Sequence, residues 1–255
     1  MPVRLLVFFV CQVVGIHLSG CRDDPGQLTD TDQDDDLPAE TSLSIDDPLF
    51  TEPTATVAEW ITPEWYTCET GKSACGGLPC PENDLWVAIN PTDFRDSAVC
   101  SACMAVEGPL GVVVVDVIEN CADACMDGEI ELSRSAFESV GNLDEGRADV
   151  TWQLVPCDRE GPIRFSYEED SGAWWTGIQV RNPALPVVGL AVRIDDGGEW
   201  QVLEKDGWDH FPLSGDLGEG PFDFRVTAID GQVLDEENIP YRPGEVVDGT
   251  LQFVI

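Results

Sequence analysis

The sequence predicts an all-β protein made of two folded parts behind an exported, tethered N-terminus. Three observations carry this. Eight cysteines lie between Cys68 and Cys157 and none follows, so the first part is cross-linked and the second is not. Strand-length apolar runs separated by Gly, Pro, Asn and Asp turns fill both parts. Only Ser135 to Val140 has the spacing of a helix, and Gly141-Asn142 ends it.

Arg4 precedes an apolar run from Leu5 to Leu18 that Ser19-Gly20-Cys21 closes. A basic start and a short apolar core make a secretory signal over residues 1–20, too short to span a membrane comfortably. Leu18-Ser19-Gly20-Cys21 resembles the bacterial lipobox, whose cysteine is acylated and becomes the mature N-terminus. A plain signal peptide cleaved elsewhere is the alternative. Each buried acyl CH₂ on Cys21 would contribute about 0.8 kcal/mol of anchoring. The expected location is the cell surface or outer membrane, with the lipid at Cys21 as the membrane contact.

Arg22 to Glu59 holds 12 Asp and Glu, one Arg and four Pro, with little periodicity. Such a segment cannot bury enough surface to offset ordering, so residues 21–59 are expected as a disordered acidic tether. Asp30-x-Asp32-x-Asp34 has the opening of a calcium loop, but the Gly and Glu needed further on are missing. No metal site is assigned.

Residues 60–158 form the cysteine-rich part. Cys68, Cys75, Cys80, Cys100, Cys103, Cys121, Cys125 and Cys157 are an even, clustered set in an exported chain, which points to four disulfides with pairing left open. Zinc held by Cys100-x-x-Cys103 and Cys121-x-x-x-Cys125 is the rival reading. Strands are expected at Leu85–Ile89, Met104–Val106, Gly111–Val117, Glu129–Leu132 and Ala148–Leu154. Gly111 to Asp116 is a valine run that predicts a strand buried on both faces and ending in a carboxylate.

Residues 159–255 alternate strands with turns. Strands are expected at Ile163–Glu168, Gly177–Arg181, Val188–Arg193, Trp200–Glu204, Phe222–Ala228, Gln232–Asp235 and Gln252–Ile255. Seven short strands at this spacing predict a β-sandwich. Trp174 and Trp175 are adjacent, so a flat strand would point them to opposite faces and bury one. Gly172 and Gly177 allow a bulge or loop that turns both outward. With Trp208 they would then form a rigid apolar platform suited to flat, uncharged ligands such as glucan chains. Half-covering one indole removes roughly 100 Å² from water, about 2 kcal/mol gross.

The net charge of −36 makes nucleic acid and bare anionic membrane unsuitable partners. Of the two histidines, His17 lies in the expected signal and His210 is read as a packed structural residue, so no nucleophilic triad is assigned. No cofactor is expected, and the chain is expected to act as a monomer.

Trp174-Trp175-x-x-Ile178-Gln179-Val180-Arg181-Asn182 resembles the signature of the second domain of bacterial expansins. Tyr66-Thr67, Gly76-Gly77, Ala88-Ile89-Asn90-Pro91, Val106-Glu107-Gly108-Pro109, Val115-Asp116, Glu131-Leu132-Ser133, Ala136-Phe137 and Gly141-Asn142-Leu143 follow the order of the first expansin domain. The resemblance covers residues from about 65 to 255. It implies a six-stranded double-psi β-barrel, related to family 45 endoglucanases, followed by an immunoglobulin-like β-sandwich that is a family 63 carbohydrate-binding module. It implies Thr67 and Asp116 lining a polysaccharide groove, with Glu131 replacing the family's second acid and Ile118 replacing a groove aromatic. It assigns Trp174, Trp175 and Trp208 to cellulose stacking and places the family's basic contact on Pro156. Gln179, Arg181 and His210 are expected to be structural. The function implied is non-hydrolytic binding and loosening of cellulose or a related neutral β-glucan. Two alternatives are a weak endoglucanase-like or lytic transglycosylase activity using Asp116, and a purely adhesive lipoprotein. An inverting hydrolase also needs a base, and Glu69 is the nearest candidate.

Overall fold

The computed structural model describes residues 43–61, 73–194 and 197–255. Cys21, with the rest of the expected signal and the tether up to residue 42, lies outside them, as do Thr67, Cys68 and Glu69.

Six strands close into a barrel: β1 (Thr54–Trp60), β2 (Trp86–Ile89), β3 (Cys103–Gly108), β4 (Gly111–Asn120), β5 (Ile130–Leu132) and β6 (Arg147–Val155). Their order around it is β1-β5-β2-β4-β3-β6. β1 runs parallel to β5 and β2 parallel to β4, and the other neighbours are antiparallel. Val87, Ile89, Met104, Val106, Val115 and Leu132 are buried and fill the interior. This is the double-psi barrel of the expectation.

β4 is not buried on both faces. Val113 and Val115 point inward, while Val112 and Val114 are 61% and 48% exposed. Valine suits a half-buried pleat as well as a buried one, so composition did not separate the two.

The acidic tether expected over residues 21–59 does not extend to residue 59. Leu43 and Leu49 are buried. α1 (Pro48–Thr51) is capped by Asp47, whose carboxylate accepts the Leu49 N–H at 3.0 Å and also pairs with Arg95. β1 then pairs with β6 from Thr54–Trp152 to Glu59–Arg147, so the barrel begins ahead of residue 60. Glu59 lies 3.0 Å from Arg147, so an acid counted with the tether is a cross-strand partner.

α2 (Pro91–Phe94) and α3 (Arg134–Val140) are short. α3 stands where the helix was expected, capped by Ser133, whose Oγ accepts the Ala136 N–H at 3.3 Å.

Disulfides join Cys75 to Cys100, Cys103 to Cys157 and Cys121 to Cys125, and Cys80 is also disulfide-bonded. Cys100 and Cys103 therefore go to different partners, which removes the zinc reading. Cys103–Cys157 fastens β3 to the segment leading out of the barrel.

The second part packs two four-stranded sheets. One has the order β10 (Gln201–Leu203), β9 (Val187–Arg193), β12 (Phe222–Ala228), β13 (Val233–Ile239). The other has the order β11 (Phe211–Ser214), β8 (Trp175–Arg181), β7 (Arg164–Tyr167), β14 (Val246–Asp248). Phe165 and Phe224 stack between the sheets at 4.4 Å, and Tyr241 packs against Tyr167 and Phe222.

Two strands, β11 and β14, are additional to the expected set, and Gln252–Ile255 is not a strand. Its backbone is held by side chains instead. Gln232 accepts the Val254 N–H and donates to the Val254 carbonyl. The Gln252 amide reaches Ala184, Asn182 and Gly161. Hydrophobic alternation cannot distinguish such a latch from a ladder.

Candidate functional site

Trp174, Trp175 and Trp208 are 69%, 36% and 63% exposed. The mount of each explains why. Residues 173–174 form a bend immediately before β8, which breaks the alternation that would bury one of the pair. The bend is fixed on several sides. Gly215 donates to the Trp174 carbonyl at 3.1 Å, Leu217 to Ala173 at 2.9 Å, Gly172 to Trp175 at 2.8 Å, and Tyr241 Oη to Gly172 at 2.7 Å. Gly177 supplies no bulge, since β8 pairs with β11 in regular register from Trp175–Ser214 to Ile178–Phe211.

Trp208 projects from the turn between β10 and β11. One oxygen of Asp206 accepts the backbone N–H of Trp208 and of His210, both at 2.9 Å, which shapes the turn. Asp209, in the left-handed region at φ 64°, is buried and takes Lys205 at 2.6 Å and the Gln179 amide at 2.7 Å.

The same turn is fastened to the barrel. Ser97 Oγ donates to the Asp206 carbonyl at 2.8 Å, Lys205 Nζ to the Ser97 carbonyl at 3.1 Å, and Gln179 to the Cys75 carbonyl at 2.8 Å. Gly76 has φ +62°, and a Cβ there would stand 2.8 Å from the Trp208 carbonyl and 2.5 Å from Gln179 Nε2. Gln179 is thus structural, as expected, and Arg181 Nε donates to it at 2.8 Å.

Of the expected groove residues, Asp116 on β4 and Glu131 on β5 lie among the described residues. Asp116 is engaged by Arg159, with Nη2 donating to Oδ1 at 2.5 Å and Nη1 to Oδ2 at 3.3 Å. Both carboxylate oxygens face the guanidinium. Arg159 lies beyond Cys157, in the connection between barrel and sandwich, and no motif on β4 pointed to it.

Glu131 sits between the inward-facing Ile130 and Leu132 and therefore faces out of the barrel. It is level with Glu59 on β1 and with Ala88 on β2, and Ala88 is level with Glu119 on β4. Burial first, and Glu59 second, push the Glu131 carboxyl up to about 7. Burial also raises Glu119, although its carboxylate accepts the N–H groups of Ala74 and Asn120 at 3.0 Å each. Sequence reasoning missed Glu119. The register shift opposite Val87–Ala88 is what makes it level with Ala88, and nothing in the local pattern announces that shift. Ile118, at the position expected for a groove aromatic, is buried with Trp86 beneath Ile61, Leu78 and Cys80 and offers no stacking face.

No family model matches the chain. It is 33% identical over 188 residues to an expansin, YoaJ, of Bacillus subtilis, covering 71% of this chain and 79% of that one. It is 26% identical over 172 residues to expansin-like protein 5 of Dictyostelium discoideum, covering 66% and 71%. A Clavibacter michiganensis expansin solved in complex with cellohexaose has a TM-score of 0.72 and 22% identity, covering 80% of this chain and 98% of that one. At that identity the structural likeness concerns the fold.

Proposed function

We infer that this chain, which belongs to the expansin family of non-catalytic loosening proteins, binds cellulose or a related neutral β-glucan and loosens its packing without cutting it. The observation that carries the reading is the exposure of Trp174, Trp175 and Trp208 on fixed mounts. Trp174 and Trp208 leave most of their indole surface in water and Trp175 about a third, so a flat apolar ligand face is their natural complement. The crystal structure of a Clavibacter relative holding cellohexaose supports the ligand class.

The net charge of −36 narrows the ligand to neutral polymer, because acidic wall polymers are repelled. The engagement of Asp116 by Arg159 speaks against the alternative in which Asp116 is a general acid. Loosening then means competing with glucan–glucan contacts by stacking and hydrogen bonding.

The deciding experiment is retention on microcrystalline cellulose by wild type and by W174A/W175A/W208A. Wild type is retained and the triple variant is lost, each ring being worth about 2 kcal/mol gross. Equal retention of the two would end the reading. Weakening of filter paper without release of reducing sugar separates loosening from hydrolysis, and retention without weakening identifies an adhesive module.

The lipid anchor at Cys21 belongs to the same proposal. It rests on the Leu18-Ser19-Gly20-Cys21 tetrapeptide at the end of the apolar run. Cys21→Ser should move the protein from the membrane fraction to the soluble fraction, and unchanged fractionation would refute the anchor.

A further inference from the structure

We propose that Glu168 and His210 form a hydrogen-bonding station for sugar hydroxyls between the tryptophans. This rests on the platform reading above and adds the polar half of the grip.

The pair lies on the outer face of the β11-β8-β7-β14 sheet. Trp175 and Gly177 are two residues apart on β8 and so share one face. Glu168 follows the end of β7 and lies over Gly177, its carboxylate 2.9 Å from the point a Cβ would occupy. Any side chain at residue 177 would displace it, so the glycine is what lets an acid lie flat on the sheet. His210 immediately precedes β11, and since Phe211 pairs with Ile178 it stands opposite Gln179, two residues along β8 from Gly177. Its Nε2 lies 3.3 Å from Glu168 Oε1, and with 11% of its side chain exposed the imidazole holds the carboxylate that meets the sugar.

From Trp175 to the level of His210 is about 13 Å along the strand, and Trp208 stands two residues before His210. A glucan chain laid across the rings therefore passes over this pair. Beside Trp208 the face opens into a cleft of about 760 Å³, whose walls include Ser166, Arg181, Gly76, Glu168 and His210.

The chemistry fits a sugar. A carboxylate has more acceptor sites than the one facing His210, and the Glu168 side chain keeps 36% of its surface open. Neighbouring hydroxyls of one pyranose can donate to such a group. Stacking on indoles holds any flat apolar face, so only polar groups of this kind can test where the hydroxyls lie. The expected basic contact falls on Pro156, which is exposed and has no side-chain donor or acceptor. The pair is therefore a polar contact that the sequence resemblance did not locate.

The test is calorimetric titration of the full chain with cellohexaose, comparing wild type with Glu168→Gln, His210→Gln, Glu145→Gln and W174A/W175A/W208A. Glu145 is an exposed acid on the barrel and does not line the cleft, so it controls for a change of net charge alone. Thermal melts of every variant establish folding. Glu168→Gln and His210→Gln should each weaken binding by about fivefold or more while Glu145→Gln stays within twofold of wild type. If Glu168→Gln and His210→Gln bind as wild type while the tryptophan variant loses binding, the station is refuted and the platform survives. An equal loss in Glu168→Gln and Glu145→Gln also refutes it, since long-range charge then explains both. Failure of wild type to bind overturns the platform reading and the station with it.

Discussion

Replacing Glu131 with glutamine should flatten the dependence of stability on pH. The side chain is buried on the outward face of β5, level with Glu59, and its pKa rises from 4.5 to about 7. The folded state thus holds the proton more tightly than the unfolded chain across that interval. The stabilisation is complete below about pH 4.5 and is lost as pH climbs towards 7. A shift of that size corresponds to about 3 kcal/mol at most, or roughly 6 to 12 °C in Tm for a unit of this length. The assay is a set of melts between about pH 4.5 and 8 for wild type and Glu131→Gln. All other carboxylates are common to the two proteins, so the difference between the two curves isolates this group. The gap should widen in favour of the variant as pH rises. Parallel curves would refute the argument, because they would mean that Glu131 is solvated like an ordinary surface acid.

Other outcomes follow from the same geometry. Gly76→Ala forces a Cβ towards the Trp208 carbonyl at a left-handed position, so it should cost roughly 2 kcal/mol and weaken cellulose retention, whereas Gly172→Ala, with open space around it, should do much less to stability. Glu236 is fully buried and accepts the Thr250 N–H, the Thr250 hydroxyl and the Leu251 N–H, so Glu236→Gln should destabilise by about 2 kcal/mol or more in denaturant titration. Exchanging Cys103 and Cys157 for serine opens a cross-link spanning 54 residues and should remove about 4 kcal/mol, read in the same titration. Cellulose retention should change little between about 0.05 and 1 M salt, because stacking on a neutral ribbon involves few charges, and a steep fall would identify a charged ligand.

Much of the architecture was legible because it is written in local pattern. The turn dipeptides and alternating runs located the central strands, and the spacing from Ser135 to Val140 with Gly141-Asn142 after it located α3. The three tryptophans stood out because two adjacent indoles cannot both fit one side of a regular strand. β1 was hidden because Thr54–Trp60 is modestly apolar and continues an acidic stretch, so composition outweighed alternation. The engagement of Asp116 depends on Arg159, 43 residues away and beyond the barrel, and no short-range signal reports such a pairing. Glu119 became level with Ala88 through a shift in strand register, and Glu168 lies flat on the sheet only because Gly177 leaves it bare beneath. Such placements are tertiary, and residue types alone do not disclose them.

The fastenings between barrel and sandwich carry a mechanical consequence. Ser97, Lys205, Gln179 and the Cys103–Cys157 link leave the aromatic face little freedom to swing against the barrel. On the function proposed above, a molecule held this way would not pry strands apart by a swing of one part against the other. It would occupy the gap left when a glucan lifts away from its neighbours by thermal motion, like a wedge, and hinder re-annealing. Its pace should therefore follow the softness of the polymer more than any motion of the protein.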